Sequence, residues 1–229
     1  MNRNPEQDWD AVLSAAARLQ WHIPEAVLVG GTATAIYAAH RVSYDADHVL
    51  PNLKEEFDEI LAKLESVAGW KLARVKKPVL ILGSLDGVDT GIRQLIRSEP
   101  LETKEIFVKG QKIVVPTEEE ILRIKGALIL KRNATRDFVD FAALAQFLGD
   151  KGTAQAFERF DALYPQESGQ SPVQQLCLQL SVPLPFDLQE NEMPAYKNLA
   201  DQWKDWEAVK ARCNRSGVII FSSLPREIA

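Results

Sequence analysis

The chain has 229 residues, 46% hydrophobic and 26% charged, enough to bury one large core or two small ones. A formal net charge of −5 excludes the dominant basic surface that sequence-blind coating of DNA requires. No apolar run approaches the roughly 20 residues of a membrane span, and Met1 to Asp10 is polar, without the apolar segment of a signal peptide. The expected location is therefore cytoplasmic, with no membrane partner.

In chain order, Asn4-Pro5-Glu6-Gln7 reads as a helix start, with Asn4 as cap, Pro5 in the first turn and Gln7 closing a capping box. Trp9, Val12, Leu13, Ala16 and Leu19 give that helix one apolar stripe. After Pro24 the composition predicts strands at Ala26 to Val29, Tyr44 to Val49, Trp70 to Val75, Val79 to Leu82, Val88 to Ile96, Thr103 to Val108 and Lys112 to Val115. Helices are expected at Ala33 to Ala39 and around Phe57, Ile60, Leu61, Leu64 and Val67. Asp86-Gly87 and Gly110-Gln111 are hairpin signals, so the sheet should be at least partly antiparallel.

From Pro116 the pattern changes: Thr117-Glu118-Glu119-Glu120 forms a second capping box, and helical periodicity follows. A domain boundary is placed there, giving a mixed α/β domain over 1–116 and a helical domain over 117–229. Tyr164 to Pro172 reads as a loop, and a last amphipathic helix is expected around Trp203 to Cys213. Cys177 and Cys213 have no metal-ligand spacing, and His22, His40 and His48 offer no zinc motif with them. Trp203 and Trp206, at helical spacing, read as packing or interface anchors.

The chemistry concentrates between Val27 and Asp47. An apolar strand runs into Gly30-Gly31-Thr32, a turn whose backbone N–H groups and hydroxyl suit phosphate at a helix start. The next strand carries Asp45 and Asp47, which project from one face about 6.6 Å apart and can grip a divalent cation jointly. A dinucleotide-binding unit fits poorly, since its third spaced glycine is replaced by Ala35 and two acids follow instead of one. The ATPase phosphate loop is excluded because no Gly-Lys-Ser/Thr follows the glycines. Asp89, just inside a later strand, is the preferred third carboxylate of a two-metal centre, with Asp86 in the hairpin turn as alternative.

Two basic clusters stand out. Lys71, Arg74, Lys76 and Lys77 form one, most simply a solvated face; Arg123, Lys125, Lys131, Arg132 and Arg136 form another that could meet phosphates. Lys125 and Arg132, seven apart, return to one helix face. Arg136 and Asp140 are spaced for an ordinary i, i+4 ion pair. Arg41 either positions the second strand or neutralises phosphate.

The ordered set Gly30-Gly31-Thr32, Arg41-Val42-Ser43-Tyr44-Asp45-Ala46-Asp47, Lys125 with Arg132, Arg136-Asp137-Phe138 and Asp140 resembles the minimal nucleotidyltransferases of the AbiEii type. Those proteins are known mainly as toxins of bacterial toxin–antitoxin and abortive-infection systems. The resemblance covers Ala26 to about Leu148. It implies an α/β (α+β) nucleotidyltransferase-like mixed sheet flanked by helices, with a C-terminal helical domain. It further implies that Gly30, Gly31 and Thr32 hold the phosphates of a nucleoside triphosphate, that Asp45 and Asp47 bind magnesium (or manganese), and that Lys125 contacts the triphosphate. Asp137 matches the family's last motif and would support the nucleotide site; from the residues alone, Arg132 beside Lys125 and Arg41 are further candidates for that site. The acceptor implied is an RNA end such as transfer RNA, or a protein side chain, and a cognate antitoxin is the implied partner. Gly-Gly-Thr stands where the family more often has Gly-Ser. The rival expectation is a catalytically degenerate relative acting as a nucleotide-binding or protein-interaction module.

Overall fold

The computed structural model describes residues 5–189, 193, 196 and 198–224. The chain divides into two compact units, residues 1–36 with 42–117 and residues 37–41 with 118–229. The architecture is mixed α/β, a sheet flanked by helices followed by a helical region.

In the first unit, α1 (Pro5–His22) precedes β1 (Val27–Leu28), and α2 (Gly30–Ala38) begins immediately after it. Then come β2 (Asp45–Leu50), α3 (Phe57–Glu65), β3 (Trp70–Lys76), β4 (Leu80–Leu85) and β5 (Val88–Gln94). The expected capping box at Asn4 and Gln7 lies outside the residues whose side chains are described. These strands form one sheet in the order β1-β2-β5-β4-β3. Asp86 and Gly87, both at positive φ, make the tight turn between β4 and β5 that the sequence signals. In contrast, β2 and β5 pair in parallel, which requires the long excursion through α3, β3 and β4 between them.

Alternation decides which side of the sheet is covered. Along β2, Ala46, His48 and Leu50 are buried while Asp45, Asp47 and Val49 are not. Leu50, Ile81, Leu85 and Ile92 from the covered side join Leu19, Ile60 and Leu64 in one core. A separate two-stranded sheet, β6 (Thr103–Val108) with β7 (Gln111–Pro116), closes the unit. Its turn falls at Lys109-Gly110, one residue earlier than expected, because both adopt positive φ.

Two further expectations are corrected. The second helix starts at Gly30 and not at Ala33, since Gly30, at φ +73°, makes the change of direction itself and enters the helix directly. The last helix starts at Trp206 and runs to Ser223, carried past Cys213 by Gly217 and Ile220, both buried.

In the second unit, α4 (Glu118–Arg132), α5 (Thr135–Ala156), α6 (Phe160–Leu163), α7 (Pro172–Ser181) and α8 (Trp206–Ser223) pack around Phe138, Phe141, Phe157, Phe160, Leu176 and Val209. α5 breaks direction at Gly149, whose φ is +70°. Ser171 caps α7 by accepting from the Gln174 N–H at 3.2 Å, ahead of Pro172 in the first turn. Trp203 and Trp206 are buried packing residues, the latter edge-on to Phe138 with ring centroids 6.2 Å apart. Cys177 and Cys213 are buried free thiols, and burial pushes the Cys177 thiol up to about 11.

Candidate active site

The open side of the first unit's sheet carries the acids. Asp45 is exposed and Asp47 half-exposed on β2, and the parallel register sets Asp89 of β5 directly opposite Asp45. Paired residues on neighbouring strands share a side of the sheet, so all three carboxylates belong to this face. Asp86 sits instead at the hairpin tip, where the Arg18 guanidinium bonds it. Among the described residues no three His, Cys, Asp or Glu side chains converge into a ready metal cage. The donor chemistry nonetheless suits a hard cation, because magnesium is usually held by one or two carboxylates together with substrate phosphates.

The start of α2 lies beside Asp47. The Val29 N–H donates to the Asp47 carbonyl at 2.8 Å, which fixes where the chain leaves β1. A Cβ added at Gly30 would stand 3.5 Å from the Asp47 Cβ and 3.6 Å from its Oδ2. A residue without a side chain thus puts the first turn of a helix, with unsatisfied backbone N–H groups, against the second carboxylate. Gly31, half-exposed, follows in that turn.

Thr32 departs from its expected role. It is fully buried, and its hydroxyl donates to the Asp45 carbonyl at 2.5 Å, so it ties α2 to β2 and does not face a phosphate. Thr32→Val, which keeps the shape and removes the donor, is expected to lower stability by about 1 to 2 kcal/mol, measured by urea unfolding.

Sequence reasoning missed two neighbours of the acids. The Ser43 hydroxyl donates to Asp45 Oδ1 at 2.7 Å, fixing that carboxylate's orientation. Arg93 of β5 places Nε 4.0 Å from Asp47 Oδ1. The i, i+2 spacing of Ser43 and Asp45 was a usable signal. Nothing local in the sequence pairs Arg93 with Asp47, because only the β2–β5 register brings them close.

The cations of the second unit are organised differently from the expectation. Lys125 is 2% exposed, and its ammonium donates to Asp140 Oδ2 at 2.6 Å. The same carboxylate accepts from Arg41 Nε at 2.8 Å and lies 2.7 Å from His40 Nε2. Asp140 is therefore the hub of a buried cluster and not the i, i+4 partner of Arg136, which is exposed. Burial pushes the Asp140 carboxyl up, but Lys125, Arg41 and His40 outweigh this and hold it well below the usual range. Burial keeps His40 below its ordinary value, with the Asp140 bond opposing in part. Arg132 bonds buried Asp137 through Nε and Nη2, and Arg123 is buried against Glu120 and the Ala156 carbonyl. Lys125 and Arg41 are thus internal counter-ions here, not surface groups awaiting phosphate; the packing of α4 against α5 covers Lys125, while Arg132, one end of the face their spacing defines, stays partly exposed and is bonded to Asp137.

No family model matches the chain. Among solved structures, it is similar to an H. pylori protein assigned as a nucleotidyltransferase, with TM-score 0.51 and 15% identity, covering 94% of this chain and 95% of that one. It is also similar to the antibiotic-resistance factor ANT(2'')-Ia in solution, with TM-score 0.50 and 12% identity, covering 67% of this chain and 92% of that one. In sequence, it is 33% identical over 128 residues to the mycolic acid-containing lipids exporter MmpL11 of Mycolicibacterium smegmatis, and 34% identical over 123 residues to the heme uptake protein MmpL11 of Mycobacterium tuberculosis. Those matches take in 55% and 51% of this chain but only 13% and 12% of the relatives. No helix among the described residues is long and apolar enough to cross a membrane. At these identities the structural likeness shows the fold alone, and that fold is nucleotidyltransferase-like.

Proposed function

We propose that this protein is a metal-dependent nucleotidyltransferase that moves a nucleoside monophosphate from a nucleoside triphosphate to a hydroxyl. The observation that carries this reading is the open sheet face on which Asp45, Asp47 and Asp89 stand together, with the first turn of α2 beside Asp47. Asp45 and Asp47 would hold magnesium or manganese, with Asp89 as the third ligand. When bound there, the cation supplies charge neutralisation on the triphosphate and activation of the acceptor oxygen. The backbone N–H groups of Gly30 and Gly31 orient phosphate oxygens, and Ser43 keeps the Asp45 carboxylate aimed. The acceptor oxygen bonds to the α-phosphorus, the bond to the β-phosphate oxygen breaks, pyrophosphate leaves, and the hydroxyl proton passes to solvent or a carboxylate. The acceptor is an RNA end, such as that of transfer RNA, or a protein side chain. By resemblance the setting is a cytoplasmic toxin restrained by a cognate antitoxin.

The test is incubation of the protein with each α-labelled nucleoside triphosphate, magnesium and total RNA, followed by separation of RNA from protein. Label in either fraction, lost on chelation, is the expected result; no transfer with any nucleotide overturns the enzymatic reading. The absence of a three-carboxylate cage among the described residues favours the second reading, a non-catalytic nucleotide-binding or protein-interaction module. That module would bind a nucleotide in calorimetry without turning it over.

A further inference from the structure

Three rows of paired residues cross the first unit's sheet from β2 to the edge strand β3. Asp45 pairs with Asp89, Asp89 with Ser84, and Ser84 with Lys71. Asp47 leads through Gly91 and Leu82 to Arg74, and Val49 leads through Arg93 and Leu80 to Lys76. Lys71, Arg74 and Lys76 therefore lie on the same side of the sheet as the carboxylates.

A regular strand could not arrange this. Residues three apart point to opposite sides, so Lys71 and Arg74 would be separated by the sheet. The register slips between Leu72 and Arg74, and the extra residue turns Arg74 and Lys76 back to the side of Lys71. All three cations are exposed and have no ion-pair partner among the described residues, whereas neighbouring Lys77 is bonded to Asp58. No acid occurs in the sequence between Glu65 and Asp86. Lysines commonly protect a sheet edge from pairing with other chains, but that purpose does not require them on one side.

We propose that Lys71, Arg74 and Lys76 form a phosphodiester-binding strip that holds a single-stranded nucleic-acid acceptor, its terminal hydroxyl directed toward Asp45, Asp47 and Asp89. The proposal rests on the nucleotidyl-transfer reading above. Successive cation rows are about 6.7 Å apart, close to the repeat of an extended nucleic-acid strand. The strip lies two strand spacings, about 10 Å, from Asp89 and three, about 14 Å, from Asp45. Between them β4 presents only Ser84, Leu82 and Leu80, an uncharged, half-exposed floor on which a sugar or base can rest. On a chain whose net charge is −5, three exposed cations on one edge, with no acid between Glu65 and Asp86, make a local attraction for a polyanion. An acidic peptide would feel the same cations, but the even row spacing and the path to the carboxylates match a phosphodiester chain ending in a hydroxyl.

The experiment compares the full chain with Lys71→Gln/Arg74→Gln/Lys76→Gln, whose polar side chains keep the edge protected. Anisotropy of a fluorescein-labelled single-stranded RNA of about ten nucleotides is read across a salt series, with magnesium–nucleotide affinity measured by calorimetry on the same proteins. The variant should lose roughly tenfold or more in RNA affinity, and its slope of log affinity against log salt should shrink by about 2, the expectation for three phosphate contacts on a single strand. Its melting midpoint and nucleotide affinity should match the parent's. Parent-like RNA binding by the folded variant overturns the strip, as does failure of the parent to bind RNA. Polyglutamate binding as tightly as RNA, and lost in the same variant, overturns it in favour of an acidic protein partner. Should the triple variant melt early, Arg74→Gln alone must still reduce affinity and slope. Failure of the parent to bind any nucleotide counts against the nucleotidyl-transfer reading, and the RNA data judge the strip separately.

Discussion

Asp47→Asn is expected to lower nucleotidyl transfer by about 10³-fold, or about 4 kcal/mol of transition-state stabilisation. The substitution removes one negative charge and leaves the side chain's size nearly unchanged. Asp47 sits where three influences meet: the carboxylate pair on β2, the first turn of α2, and Arg93 across the β2–β5 register. Its side chain is 33% exposed, so the sheet should tolerate the neutral amide. Single-turnover transfer with labelled nucleotide, alongside a melting curve, checks both halves of the expectation. A folded Asp47→Asn protein with undiminished transfer would remove the carboxylate pair from the mechanism. Asp45→Asn should behave similarly, with the Ser43 hydroxyl free to rotate toward the new amide oxygen.

The largest stability effect is expected at Asp140. Asp140→Ala would leave the Lys125 ammonium, the Arg41 guanidinium and the His40 ring buried without their common acceptor. Removing one partner from a buried ionic cluster costs about 3 to 5 kcal/mol, because the remaining charges lose compensation while staying out of water. Lys125→Met should cost less, since its aliphatic stem is nearly reproduced and Asp140 keeps Arg41 and His40. Equilibrium unfolding in urea, read by tryptophan fluorescence, ranks the variants; equal stability of Asp140→Ala and the parent would dissolve the cluster as a structural element.

The same cluster sets a pH dependence. A carboxylate held low contributes its full stability above its unfolded value, near 3.9, and loses it progressively as pH falls from there through its lower folded value. A histidine held low acts in the same direction over a different window: the unfolded chain takes up its proton from about pH 6.5 downward while the folded one resists. Stability should therefore begin to decline below about pH 6.5 and fall further below about pH 4. In Asp140→Asn the second decline should shrink.

What the sequence disclosed depended on how local the determinant was. Asp86-Gly87 announced its hairpin because two consecutive residues needed positive φ, and Asp45 with Asp47 announced a shared face through period 2 alone. The strand segments and the helical character after Pro116 followed from the same short-range rules. The β2–β5 pairing was invisible, since parallel strands are joined through a long excursion and no turn residue marks the partner. Arg93 was lost with it. Lys125 failed for another reason: helical spacing told which residues share a face, but whether water or Asp140 meets that face is decided by packing between distant segments. The bulge after Leu72 was equally silent, because a single extra residue changes no composition and yet reverses which side every later side chain takes.

The register of Asp45 against Asp89 also sets chemistry against folding. Like charges directly opposite each other weaken a strand pair by a few tenths of a kcal/mol to about 1 kcal/mol, and here they face one another at the first step of the only parallel ladder described in the sheet. Thr90 partly offsets the repulsion by donating its hydroxyl to the Ala46 carbonyl at 2.6 Å, one residue further along. Selection for a sturdier domain alone would replace one aspartate with a neutral residue, so the pair is a local weakness in the sheet that the proposed metal-binding face would account for.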